Sequence, residues 1–180
     1  METTGPGDVR TLRAQLMLPE QQDLFDYWLS LKGKRDLPRR EDISPAAMRR
    51  LLPHVSLIEL QEDAEHARFR LAGSALRDIF GVELTNRTLA DPCWGRHAEY
   101  WQRVCRQLWQ ERAPLFGMLR APGAGREHLV LFWLRLPLSS NDGQGLMALG
   151  LDIARSARDS GKRGITEEAD SFLLMQGGGL

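Results

Sequence analysis

Two segments near the C-terminal end of this chain are apolar on both faces, and they constrain its fold more than any other feature. In His128 to Leu138, the residues Val130, Phe132, Leu134 and Leu136 form one face, while Leu129, Leu131 and Trp133 make the other apolar as well. In Leu146 to Ile153, the set Met147, Leu149, Leu151 and Ile153 alternates with the small residues Ala148 and Gly150. Strand side chains alternate between faces with a period of two, so an antiparallel strand with one wet face shows a polar residue at every second position. Neither segment does. Both must therefore be covered on two sides, and the nearest cover for the outer side is an amphipathic helix at the N-terminal end.

That helix begins at Pro19, a residue tolerated at a first helical position. Leu24, Phe25, Trp28, Leu29 and Leu31 fall on one stripe, and Gly33 ends it. Residues 1–18 carry Thr, Gly, Pro and scattered charge and are expected to be a flexible lead-in. Residues 32–40, KGKRDLPRR, form a basic connector, after which Ser44-Pro45 opens a short helix that Pro53 stops. Val55 to Leu60 and Ala67 to Gly73 read as a hairpin, with Arg68 and Arg70 outward and Phe69 and Leu71 inward. Ser74 to Phe80 is a short helix before Gly81. The longest helix spans Trp94 to Arg112, with His97, Trp101, Val104 and Leu108 on one stripe. Leu115 to Arg120 is a third strand that turns through Pro122-Gly123-Ala124-Gly125 into the two double-faced strands. The tail from 155 to 180 is expected to be mobile, with a weak helix around Phe172, Leu173 and Met175. This order predicts an α+β fold: a five-stranded antiparallel sheet with helices on one face and an N-terminal helical extension.

Composition narrows the function. The 24 Lys and Arg balance 24 Asp and Glu, for a formal net charge of zero, so no nucleic acid and no membrane surface is expected as a partner. No apolar run approaches the ~20 residues of a membrane helix, and no apolar stretch follows a basic start, which predicts a cytoplasmic protein. Cys93 and Cys105 are expected to be free thiols.

The pieces Tyr27-Trp28, Leu37-Pro38-Arg39-Arg40 with Asp42-Ile43-Ser44-Pro45, and Leu51-Leu52-Pro53 precede the first strand. Phe69-Arg70-Leu71-Ala72-Gly73-Ser74, Phe80-Gly81 and Glu83-Leu84-Thr85 follow in order. Over about residues 20 to 153 this combination resembles the PAS domain family, in its divergent bacterial branch where a tryptophan helix and a Leu-Pro-x-Arg segment come before the first strand. The resemblance implies one PAS-like domain over 19–154, acting as a stand-alone sensory and signalling module without catalysis of its own. It implies a small ligand or a regulatory protein partner and names neither.

In a PAS-like arrangement the long helix crosses the concave face of the sheet above a small cavity. The candidate lining is Phe69, Leu71, His97, Val104, Leu108, Phe132, Leu134, Met147 and Leu149, suited to a small apolar ligand; the same residues could simply fill the core. Phe25, Trp28, Leu129, Leu131 and Trp133 would then form the outer cover or a homodimer interface.

Other chemistry fits the residues less well. A haem on His97 is the one cofactor alternative, and the residues around it carry no haem signature, so no cofactor is expected. His54, His66 and His128 have no metal-ligand spacing, so no metal is expected. Asp91-Pro92-Cys93-Trp94-Gly95-Arg96 departs from the reactive-cysteine motif of flavin-binding relatives. A cone-shaped isomerase or dehydratase would want carboxylates at inward strand positions that read as apolar. The connector charges Lys32, Lys34, Arg35, Arg39 and Arg40 are expected to form a solvated loop paired with Glu41 and Asp42, the alternative being an anion or partner-docking patch extended by Arg49 and Arg50.

Overall fold

The computed structural model describes residues 7–121, 128–141, 143–156 and 175–176. Its elements in chain order are α1 (Gly7–Gln15), α2 (Pro19–Lys32), β1 (Val55–Glu59), β2 (Arg68–Ala72), α3 (Ser74–Phe80), α4 (Ala98–Glu111), β3 (Leu115–Arg120), β4 (Leu129–Ser139), β5 (Leu146–Ser156) and β6 (Met175–Gln176). The sheet runs β2-β1-β5-β4-β3-β6, antiparallel throughout. This is the expected five-stranded α+β architecture, with two residues of β6 added beside Leu115 and Phe116. The double-faced segments are β4 and β5, which pair along their whole length in the middle of the sheet.

Each face of the sheet has its own core. On the inner face, α3, α4 and the chain before α4 pack Leu76, Ile79, Leu84, Trp94, Trp101, Val104 and Leu108 against Ile58, Leu131, Trp133 and Ala148. On the outer face, Leu12, Leu16, Leu24, Phe25 and Trp28 cover Leu134, Leu136, Leu138, Leu149, Leu151 and Ile153. Burying one such side chain contributes about 1.5–3 kcal/mol, so the helical cover is an integral part of the fold.

Polar contacts fix the angle of that cover. Leu18 at the head of α2 cannot cap with its own side chain. Gln21 does so instead, its Oε1 accepting the Leu18 and Met17 backbone N–H groups while its Nε2 donates to the Trp133 carbonyl at 3.1 Å. Two turns on, Trp28 Nε1 donates to the Pro137 carbonyl at 2.8 Å. β3 accompanies β4 only as far as Arg135, and beyond it Ser139 donates its backbone N–H to the Pro38 carbonyl. The Leu37-Pro38-Arg39 segment thus borders the end of β4.

Several local expectations are corrected. The lead-in expected to be flexible over 1–18 is helical in α1, and its Leu12 and Leu16 are buried in the outer core. The short helix after Ser44 is two 3-10 turns, Pro45–Met48 and Leu52–His54, with Pro53 inside the second rather than ending the first. The long helix is shorter than its stripe implied: a 3-10 stretch over Pro92–His97 turns at Gly95 (φ 48°), and α4 starts at Ala98. β5 continues through Arg155 and Ser156, which the sequence assigned to the tail. The Pro122–Gly125 turn, Phe172 and Leu173 lie outside the described residues, and Met175–Gln176 is strand rather than helix. No helix among the described residues is long and apolar enough to cross a membrane.

Candidate functional site

Strand register brings polar residues together on the inner face. Ser56, Gly150 and Arg135 are cross-strand neighbours on β1, β5 and β4, and two residues along β5, Asp152 stands beside Trp133 and Gly117. The two glycines leave room for long side chains to lie flat. A Cβ at Gly150 would collide with Ser56 Oγ and come 3.2 Å from Arg135 Nη1, while one at Gly117 would lie 2.7 Å from Trp133 Cζ2.

Arg135 is 2% exposed and Asp152 is 0% exposed, so this ion pair is wholly interior. Arg135 Nη2 meets Asp152 Oδ1 at 2.9 Å, and Nη1 donates to the Leu134 and Leu151 carbonyls at 3.0 and 3.3 Å. The guanidinium carbon lies 4.9 Å from the centre of the Trp101 ring and 5.8 Å from that of Trp133, within cation–π range. Above them Trp133 Nε1 donates to the Tyr100 hydroxyl at 2.7 Å. Burial raises the Tyr100 phenol above its ordinary value, so it stays neutral. Burial also raises the Asp152 carboxyl, against the pull of Arg135. Cys105 is enclosed with them, its thiol pushed up to about 12 by burial, which makes it inert.

Three buried polar atoms in this constellation, Ser56 Oγ, Trp101 Nε1 and Asp152 Oδ2, have no hydrogen-bond partner among the described residues. Buried polar atoms are hydrogen-bonded in roughly nine cases of ten, so three around one guanidinium mark the place as unusual. A hydroxyl, an indole N–H and a carboxylate oxygen together offer both donors and acceptors.

The sequence located only part of this site. Phe69, Val104 and Leu108 do face the inner core, with Phe69 stacked on Trp94 at 5.4 Å. Phe132, Leu134, Met147 and Leu149 do not: Leu134, Met147 and Leu149 pack in the outer core with α2, and Phe132 shares the strand parity of Leu134, which corrects their assignment to the inner lining. Conversely, Leu131 and Trp133 are fully buried in the inner core and Leu129 packs against it, so they are not the outer cover. Phe25 and Trp28 are that cover, but at 1% and 0% exposed they are enclosed by their own chain rather than presented as an interface. Leu71 is displaced by a β-bulge. Leu57 pairs with Leu71 and Ile58 with Phe69, so Arg70 is the extra residue and Leu71 turns outward, 43% exposed.

His97 sits at the N-cap position of α4 without a side-chain capping bond and is not part of the inner core; its Nε2 accepts from Arg96 Nε at 3.4 Å. Burial and the Arg96 charge hold its pKa below the ordinary value. One grouping among the described residues has metal-ligand proximity, Asp63, Glu65 and His66, and all three are exposed. In the connector, Arg35 pairs with Asp42 at 2.7 Å and Arg39 with Glu41 at 3.2 Å. The Arg39 backbone N–H, supported by Arg35, holds Asp42 below the usual carboxylate range.

The PAS domain family model matches residues 17–153. Among solved structures, the PAS domain from Bordetella pertussis BvgS is similar at 21% identity and a TM-score of 0.44, covering 64% of this chain and 89% of that one. No curated protein matches. The match of the family model over most of the sequence shows that this chain belongs to the PAS domain family of sensory and signalling modules.

Proposed function

We propose that the chain is a sensory module that takes up a small amphipathic ligand beneath α4 and passes the event to a regulatory protein partner, without catalysis of its own. The observation that carries this reading is the set of unpartnered atoms, Ser56 Oγ, Trp101 Nε1 and Asp152 Oδ2, around the buried Arg135–Asp152 pair. A purely apolar ligand would leave all three unpaired, at about 1–3 kcal/mol each. An amphipathic one would satisfy them.

The route for a signal is physical. α4 contributes Tyr100 and Trp101 to the site, and the opposite side of β4 and β5 carries α2. A shift of the Arg135 guanidinium would bear on β4, whose carbonyls hold Gln21 and Trp28. Native mass spectrometry of freshly purified protein tests the reading and reports whether the chain is the expected homodimer. The expected spectrum shows a small molecule retained by wild type and lost from Ser56→Val. A spectrum of bare chain, before and after incubation with cell extract, would refute ligand sensing.

A further inference from the structure

Between α2 and the 3-10 turn at Pro45–Met48 the surface opens into a groove of about 450 Å³. Met48 and Leu51 are buried at its base, and the exposed Ala46 and Ala47 line it. The polar lining is Tyr27, Arg49 and Arg50, with Asp23 one turn of α2 before Tyr27. The Tyr27 hydroxyl oxygen accepts the Ser44 backbone N–H at 2.8 Å, which leaves the phenolic proton to donate. Arg13, Arg35 and Arg39 nearby are each committed to a carboxylate. Arg49 and Arg50 are exposed and have no partner among the described residues.

We propose that this groove docks an acidic segment of a partner protein, its carboxylates on Arg49, Arg50 and the Tyr27 O–H, and a small apolar side chain over Met48. Guanidinium groups hold carboxylates in two-pronged hydrogen bonds, and Tyr and Arg are the residue types enriched where partners anchor. A phosphate polymer or an anionic membrane is a poorer fit. The chain has a formal net charge of zero, without the large surplus of cations that a polyanion or an anionic bilayer requires, and the two guanidinium groups match a short segment with a few carboxylates. The groove belongs to the α2 side of the sheet, so the proposal is independent of any ligand beneath α4.

Fluorescence anisotropy with a short labelled peptide of alternating Glu and Leu tests it. Wild type should bind this peptide and not its Lys-Leu counterpart. Arg49→Glu/Arg50→Glu should lose affinity by about tenfold or more, and Arg49→Gln/Arg50→Gln by less, with both variants keeping the wild-type urea midpoint. Reversal of Arg106 on α4 should leave binding unchanged. Equal affinity for wild type and the double reversal, no binding by wild type, or binding only to phosphatidylserine vesicles would overturn the proposal.

Discussion

Asp152→Ala is expected to destabilise the protein by about 3–5 kcal/mol, because it leaves the Arg135 guanidinium charged, buried and without its carboxylate. The Leu134 and Leu151 carbonyls would still accept from Nη1 but cannot neutralise the charge. Arg135→Met should cost a comparable amount from the opposite side, since Asp152 would then be a buried carboxylate with neither oxygen paired. The double replacement Arg135→Met/Asp152→Leu removes both charges together and should be much closer to wild type than the sum of the single changes. For a chain of this length the single changes correspond to a fall in Tm of roughly 6–20 °C. Urea denaturation of the four proteins reads the cycle. Additive losses would show that the pair contributes little as a pair.

Trp28→Ala should cost about 3–5 kcal/mol, for a different reason. Trp28 is fully buried between α2 and the outer face of the sheet, stacked with Phe25 at 6.1 Å between ring centres, and its indole N–H reaches the Pro137 carbonyl. Removing it opens a cavity at the contact where α2 covers β4. Trp28→Phe keeps much of the volume and loses the hydrogen bond, so its cost should be nearer 1–3 kcal/mol. Limited proteolysis should cut between α2 and β1 faster in Trp28→Ala than in wild type. Equal stability and equal cleavage would mean that α2 is a detachable appendage.

The sequence made much of the fold legible, because period and punctuation are local signals. The order of β1 to β5, the need for a two-sided cover, and α2 as that cover all follow from spacing alone. The main failure has a physical cause. Where both faces of a strand are apolar, alternation separates the two sets of residues but does not say which set faces α4. Arg135 and Asp152 have the parity of Leu131 and Trp133, and charged residues ordinarily mark a wet face. Here the charged residues are the interior, held by each other, by Gly150 and Gly117 opposite them, and by two indoles. A pairing of Arg with Asp across two strands depends on register, and register is long-range information. The bulge at Arg70 and the turn at Gly95 moved Leu71 and His97 in the same way, each by a local irregularity that no period reveals.

The ligand proposed beneath α4 would be held through Ser56 Oγ, Trp101 Nε1 and Asp152 Oδ2, which have no hydrogen-bond partner among the described residues. The indole N–H resonances report on it directly, because Trp28, Trp94 and Trp133 each donate to a group of the chain, whereas Trp101 has no acceptor among the described residues. In ¹H–¹⁵N spectra of protein as purified and after denaturation, dialysis and refolding, the Trp101 indole signal should move while that of Trp28 stays in place. Superimposable spectra of the two preparations, with Trp101 unmoved on adding back the small-molecule fraction released by denaturation, would contradict it.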